Sequence, residues 1–126
     1  MDKKGSTAPP IDNFPYMEVC RAIMLVMRVL ALSALRDFWE GEDAAAQKPM
    51  REWFRTCELA KWKSFADVRA TFSQTDLVRE RYIFDIGGNK WRIIARINFR
   101  FGRVLIRWVG NHESYGRLSE RDIAAL

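Results

Sequence analysis

The chain has 126 residues, 48% of them hydrophobic and 29% charged, with a formal net charge of +5 and a pI near 9.6. That length and apolar content suit one domain whose core buries roughly two-thirds of the unfolded surface, and they exclude a largely disordered chain. The positive balance favours an anionic partner without choosing among nucleic acid, an acidic protein and a membrane surface.

Residues 1–14, "MDKKGSTAPPIDNF", are polar and carry Pro9 and Pro10, which reads as a flexible lead. The apolar run that follows, "MEVCRAIMLVMRVLALSAL", is separated from the first basic residues by a polar spacer, unlike a signal peptide. Glu18, Arg21 and Arg28 interrupt it, so it falls short of the ~20 apolar residues that cross a bilayer. Residues 15–26 are open between a short extra helix and a segment outside the core domain, with Met24 or Met27 as a candidate effective start. The expected division is an N-terminal extension over 1–26 and a folded domain over 27–126. Cys20 and Cys57 are the only cysteines and His112 the only histidine. A small secreted domain lacking a full core would carry more cysteine, and this set has no zinc-site spacing. The expectation is a cytoplasmic chain with reduced thiols, no bound metal and no membrane attachment.

"MRVLAL", 27–32, reads as a short buried strand. Ser33 is the expected N-cap of a helix with Leu35, Phe38 and Trp39 at helical spacing and Gly41 as its stop. Asp43 can cap the next helix, where Met50, Trp53, Phe54 and Cys57 fall at i, i+3, i+4 and i+7 on one amphipathic face. Pro49 suggests that its regular part begins nearby. Ser64 is the expected cap of a short helix over 64–72.

From residue 81 the hydrophobic period becomes two. "RYIFDI", "KWRIIARINFR" and "VLIRWV" read as strands, with Trp91, Ile93, Ala95, Ile97 and Phe99 on one face and Arg92, Arg96 and Arg100 on the other. Gly87-Gly88 and Phe101-Gly102 suit two-residue hairpin turns. Loops of that length set Phe84 opposite Trp91, Asp85 opposite Lys90, Ala95 opposite Trp108 and Arg96 opposite Arg107. Both hairpins then put apolar residues on a shared face, which directs Trp91 and Trp108 inward and leaves a basic outer face. "SERDIAAL" closes the chain as a helix capped by Ser119. The expected architecture is α+β: a mostly antiparallel four-stranded sheet with helices packed on one face.

Residues 79–121 hold ten Arg and Lys against four Asp and Glu, and nine of the ten are arginine. A solvated strand face is the ordinary explanation of such charge. Arginine, however, forks onto phosphate oxygens in a way lysine cannot. His112 and Tyr115 stand just past the end of the last strand. A lone histidine is more often structural than catalytic, but beside an arginine face imidazole can move a proton while arginine holds a phosphate. That set suits metal-independent RNA cleavage, in which the 2′-hydroxyl attacks the adjacent phosphorus.

"MRVLALSALRDFWE", "AKWKSFADVRATF" and above all "FDIGGNKWRIIARINFRFGRVLIRWVGNHESY", 84–115, resemble the HigB family of type II toxins in the RelE-like superfamily. The resemblance covers about residues 27–118. It rests on a Gly-Asn step, an aromatic-Arg step, an alternating strand, an Ile-Arg step and His-x-x-Tyr. It implies a RelE-like fold and a ribosome-dependent mRNA endonuclease held inactive by a cognate helix-turn-helix, HigA-like antitoxin. Carried over by position, Arg92, His112 and Tyr115 take the catalytic places. Lys90, Arg96 and Arg107 are the expected RNA-binding residues. The chain departs from the family pattern at Asn111, where Thr is frequent. The other reading is a non-catalytic module that binds RNA or protein with the same basic face.

Overall fold

The computed structural model describes residues 27–126. The expectations for the 1–14 lead, for residues 15–26 and for a start at Met24 lie outside the described residues. In chain order the elements are β1 (Arg28–Leu30), α1 (Leu32–Gly41), a 3-10 turn (Ala44–Ala46), α2 (Gln47–Leu59), α3 (Phe65–Thr71), β2 (Asp76–Val78), β3 (Arg81–Ile86), β4 (Trp91–Asn98), β5 (Arg103–Asn111), α4 (His112–Gly116) and α5 (Glu120–Ala124). One sheet runs β1-β5-β4-β3-β2, with β1 parallel to β5 and the other pairs antiparallel.

The architecture is α+β, with two corrections to the expected one. The sheet has five strands rather than four, and helices lie on both of its faces. The additional strand is β2, which pairs Val78 with Arg81 across a two-residue turn. Both turn residues, Arg79 and Glu80, have positive φ, at 51° and 65°. Such a turn normally advertises itself through Asn or Gly, and Arg-Glu gives no such signal.

The inner face forms the main core. Leu35, Phe38 and Trp39 of α1, Met50, Trp53 and Cys57 of α2 and Val68 of α3 are buried against Tyr82, Phe84, Ile86, Trp91, Ile93, Ala95 and Val104 of the sheet. Phe84 is its aromatic hub, with the Trp53, Phe72 and Trp62 rings at 5.1, 5.6 and 6.4 Å. Burial, and then the charge of Glu58, pushes the Cys57 thiol's pKa well up, so it behaves as a small core hydrophobe. Asp43 caps the 3-10 turn through Ala45 N and also accepts a 2.9 Å bond from the Trp91 indole, tying the helical layer to the start of β4. Ser64 and Ser119 cap α3 and α5 as expected, Ser119 within a full capping box. Ser33 does not cap α1; the N-cap is Ala31, without a side-chain bond, and Ser33 falls inside the first turn.

Both hairpins are shifted by two residues from the expected register. Ile86 pairs with Trp91 and Asn98 with Arg103, so each loop has four residues. Gly87, Gly88 and Asn89 all take positive φ, which a two-residue turn cannot hold. A shift of two keeps every side chain on its expected face, so β3 and most of β4 are oriented as the alternation demands. Further along, a bulge opposite Ile94 and Ala95 inserts one residue in β5. Ala95 pairs with Ile106 but Ile94 pairs with Trp108, leaving Arg107 without a partner in the ladder. Arg96 therefore stands opposite Leu105, not Arg107, and the expected like-charge pair does not form. The same bulge turns Trp108 away from the main core.

On the outer face Trp108 joins a second cluster around buried Ile83, Ile94 and Ile123, with Val78, Tyr115, Leu118 and Leu126 packed beside them. Ile123 of α5 is its keystone. Arginines hold α5 at both ends: Arg79 pairs with Glu120 at 2.8 Å, while Arg81 and Arg107 donate to the carbonyls of Ala124 and Leu126 at 2.7 and 2.8 Å. Cations at the last carbonyls of a helix complement its dipole and satisfy groups without helical partners.

Two consequences can be measured by denaturant unfolding. Trp91→Ala should cost about 3–5 kcal/mol because it empties a buried site, whereas exposed Arg96, which faces Leu105 and not Arg107 in the ladder, should change stability by less than about 0.5 kcal/mol when replaced by Ala. A chain beginning at Met27 should still unfold cooperatively, because the core cluster described lies within residues 27–126.

Candidate functional site

Arg92 stands in a row across three strands, with Asp85 of β3 on one side and Gly110 of β5 on the other. Its side chain is 9% exposed, and its Nε forms an ion pair with Asp85 Oδ1 at 2.9 Å. Nη1 donates to the Asn89 carbonyl at 3.1 Å. Burying a guanidinium is tolerable only with close, direct partners of this kind. Asp85, expected opposite Lys90, faces Arg92 because the turn holds four residues.

The chain reverses sharply where β5 ends. Asn111 closes the strand, and its side chain accepts from Ser114 N at 2.7 Å, capping α4. That fixes His112 at the first helical position and Tyr115 one turn later. His112 N donates to Lys90 O at 2.8 Å, which fastens the start of α4 to the loop before β4. Tyr115 turns inward over the row, with the Arg92 guanidinium 5.2 Å from its ring centroid and the Trp108 ring at 6.3 Å. Gly110 makes room for this arrangement: a Cβ there would come within 2.3 Å of the Trp108 ring.

Burial raises the Tyr115 pKa above the ordinary tyrosine value. The Asp76 carboxylate adds to the rise, Arg92 opposes it, and Asp85 contributes in the same sense as Asp76. The phenol is therefore a neutral hydrogen-bond donor at physiological pH, not a phenolate.

Of the residues singled out by sequence, Arg92 and Tyr115 are in contact, while His112 and Lys90 are exposed and joined to each other through the backbone. Arg96 and Arg107 are elsewhere. Arg96 lies four residues along β4, beyond Ile94 and the Ile123 that covers it, and Arg107 is engaged with Leu126. Sequence reasoning missed Asp85, Trp108, Gly110 and the helix-capping role of Asn111. A four-residue reading of "GGNK" would have set Asp85 against Arg92, but nothing in the sequence marks the bulge that delivers Trp108. Among the described residues no cluster of three or more His, Cys, Asp or Glu is placed to hold a metal ion, and no helix is long and apolar enough to cross a membrane.

The chain is a small basic α+β domain in which Arg92 and Tyr115 meet at one end of the sheet, with His112 opening the same short helix as Tyr115. The chain belongs to the HigB toxin family, described as the RelE-like toxic component of a toxin–antitoxin system, whose family model matches residues 46–118. It is similar to the mRNA interferase HigB of Escherichia coli O6:H1, at 30% identity over 69 residues that cover 52% of this chain and 67% of that protein. The span 46–118 matched by the family model contains the positions of Arg92, His112 and Tyr115, and a toxin–antitoxin system implies an antitoxin partner.

The Tyr115 environment can be tested by ultraviolet titration of the phenol, as the difference between the parent and Tyr115→Phe. Tyr115 should ionise above the unperturbed value of about 10, and Asp76→Asn should bring it down by removing a nearby negative charge. An ionisation at or below the ordinary value in the parent would contradict the environment described.

Proposed function

We propose that the chain is an endoribonuclease that cleaves mRNA on the ribosome by metal-independent attack of the 2′-hydroxyl, and that a cognate helix-turn-helix, HigA-like antitoxin silences it. The observation that carries this reading is the placement of Arg92 against Tyr115, with His112 one helical turn away on the same short helix. The name of its Escherichia coli relative supports the choice of mRNA as substrate.

The chemistry divides among these groups as follows. Two of the Arg92 nitrogens are occupied by Asp85 and Asn89; among the described residues Nη2 makes no hydrogen bond, so it is the donor left for a phosphate oxygen. Asp85 and the Tyr115 ring hold the guanidinium in one orientation, so little reorganisation is needed as charge builds on the phosphate. The His112 imidazole takes the 2′-hydroxyl proton as the oxygen bonds to phosphorus. The bond from phosphorus to the 5′-oxygen breaks, and the neutral Tyr115 hydroxyl supplies the proton that the leaving oxygen needs. The products are a 2′,3′-cyclic phosphate and a free 5′-hydroxyl. Tyr115 is assigned as donor because its phenol is protonated and lies against Arg92, which leaves the proton-accepting part to His112. Lys90 and Arg96 contribute salt-dependent affinity for the phosphate backbone, whereas Arg107, expected to share that part, is held on the Leu126 carbonyl.

His112 is the cleanest residue to test because its side chain is exposed and its backbone contact survives substitution. His112→Ala should lower cleavage by about 10²–10⁴, with unfolding and antitoxin affinity unchanged. The measurement is growth arrest and mRNA cleavage after induction in antitoxin-free cells. Toxicity equal to the parent at equal protein level would remove the imidazole from the mechanism, and RNA retention without any cleavage by the parent would favour a non-catalytic binder.

A further inference from the structure

The β4–β5 hairpin lies at the opposite end of β4 from Arg92. At its tip Phe101 is 64% exposed, although an aromatic ring of this size ordinarily packs. The guanidinium groups of Arg100 and Arg103 lie 5.5 and 6.0 Å from its centroid. Arg103 is in register with Arg28 of the parallel strand β1, and both are exposed. Val29 and Val104 point into the core, so Arg28 and Arg103 share the outer face, and exposed Arg96 lies one row further in. Like charges set side by side on neighbouring strands cost stability unless an anion lies between them.

We propose that this tip is a second RNA contact, in which Phe101 stacks an unpaired base while Arg100, Arg103 and Arg28 hold the flanking phosphates. It rests on the reading of RNA as the substrate but not on the cleavage mechanism. Arginines beside an exposed aromatic ring are the combination that binds single strands: the ring takes any base, displacing a guanidinium where needed, and guanidinium forks onto phosphate oxygens. An acidic peptide could use the cations, but its apolar anchor would need a pocket, and the ring stands on a projecting turn. The six steps of β4 from Arg92 to Asn98 span about 20 Å at ~3.3 Å per residue. At ~3.4 Å per stacked nucleotide, about six nucleotides bridge the two ends. A strand cleaved beside Arg92 is thus gripped a second time along its length, and the tip adds affinity only to RNA long enough to reach it.

The test uses the full chain and fluorescent 2′-O-methyl RNA, which cannot react, in two lengths: about three nucleotides, too short to bridge the ends, and about twelve, long enough to do so. Binding is read by anisotropy, with thermal unfolding as the control for folding. Phe101→Ala should weaken binding of the longer RNA by about fivefold or more and leave the short one unchanged. Arg100→Ala with Arg103→Ala should also weaken only the longer RNA and reduce its salt slope by about 0.7 per arginine removed. Equal binding of the longer RNA by parent and variants overturns the proposal, as does an equal loss on both lengths. So does unchanged RNA binding with lost antitoxin affinity, which would assign the tip to the protein partner. A parent chain that binds neither length overturns both this inference and the choice of RNA as substrate. A parent that binds with the predicted length dependence but cleaves no RNA removes the nuclease reading and leaves the second contact standing.

Discussion

The single residue inserted in β5 opposite Ile94 and Ala95 governs the outer half of this molecule. Before the bulge, β5 sends Val104 and Ile106 to the main core; after it, Trp108 goes to the opposite face and Val109 takes the inward place. The sheet thereby acquires apolar surface on both sides, and the outer surface needs a cover. The chain supplies one at once, since α4 and α5 follow β5 directly and lay Tyr115, Leu118, Ile123 and Leu126 over Trp108, Ile83 and Ile94. Bulges bend and redirect strands in this way at the cost of one ladder position.

That cover places the candidate site. Tyr115 reaches Arg92 because α4 starts immediately after the last residue of β5, and because Gly110 leaves the Trp108 ring space to lie beside them. Arg92 itself is an unusual strand residue, a guanidinium within the fold. Its partner Asp85 is its direct cross-strand neighbour, so the pair is set by the β3–β4 register, not by a flexible loop. A register slip would separate them and leave a buried cation unpaired, which is far more costly than the pair is beneficial. The site geometry and the sheet register therefore protect one another.

The arginines of this chain do different kinds of work, which their shared charge conceals. Arg79, Arg81 and Arg107 secure α5 through Glu120 and the terminal carbonyls. Arg92 is bound into the sheet. Arg28, Arg96, Arg100 and Arg103 are exposed, and three of these gather at the hairpin tip around Phe101. Part of the basic face expected from alternation is thus a structural clamp, and the cations open to an anion are divided between two ends of β4.

The sequence by itself determined the class of fold and the side of the sheet on which most residues lie. The period of 3.6 in Met50, Trp53 and Cys57 and the period of two in Trp91, Ile93 and Ala95 each admit one face for burial, so α2, β3 and β4 were legible. Ser64 and Ser119 were legible as caps because a side-chain oxygen beside free helix N–H groups acts locally. His112 and Tyr115 were legible as neighbours through their spacing of three. Tertiary structure decided the rest. A hairpin loop of two or four residues gives the same alternation, so the pairing of Asp85 with Arg92 had no unique signature in the pattern. Strand β2 turns through Arg79 and Glu80 at positive φ, a conformation their residue types do not announce. The bulge at Arg107 is an odd shift, and parity is the one thing alternation relies on. Whether Trp108 packs with Trp91 or with Tyr115 was settled only when β4 and β5 came together, because a bulge is a property of two strands in register and not of either sequence alone.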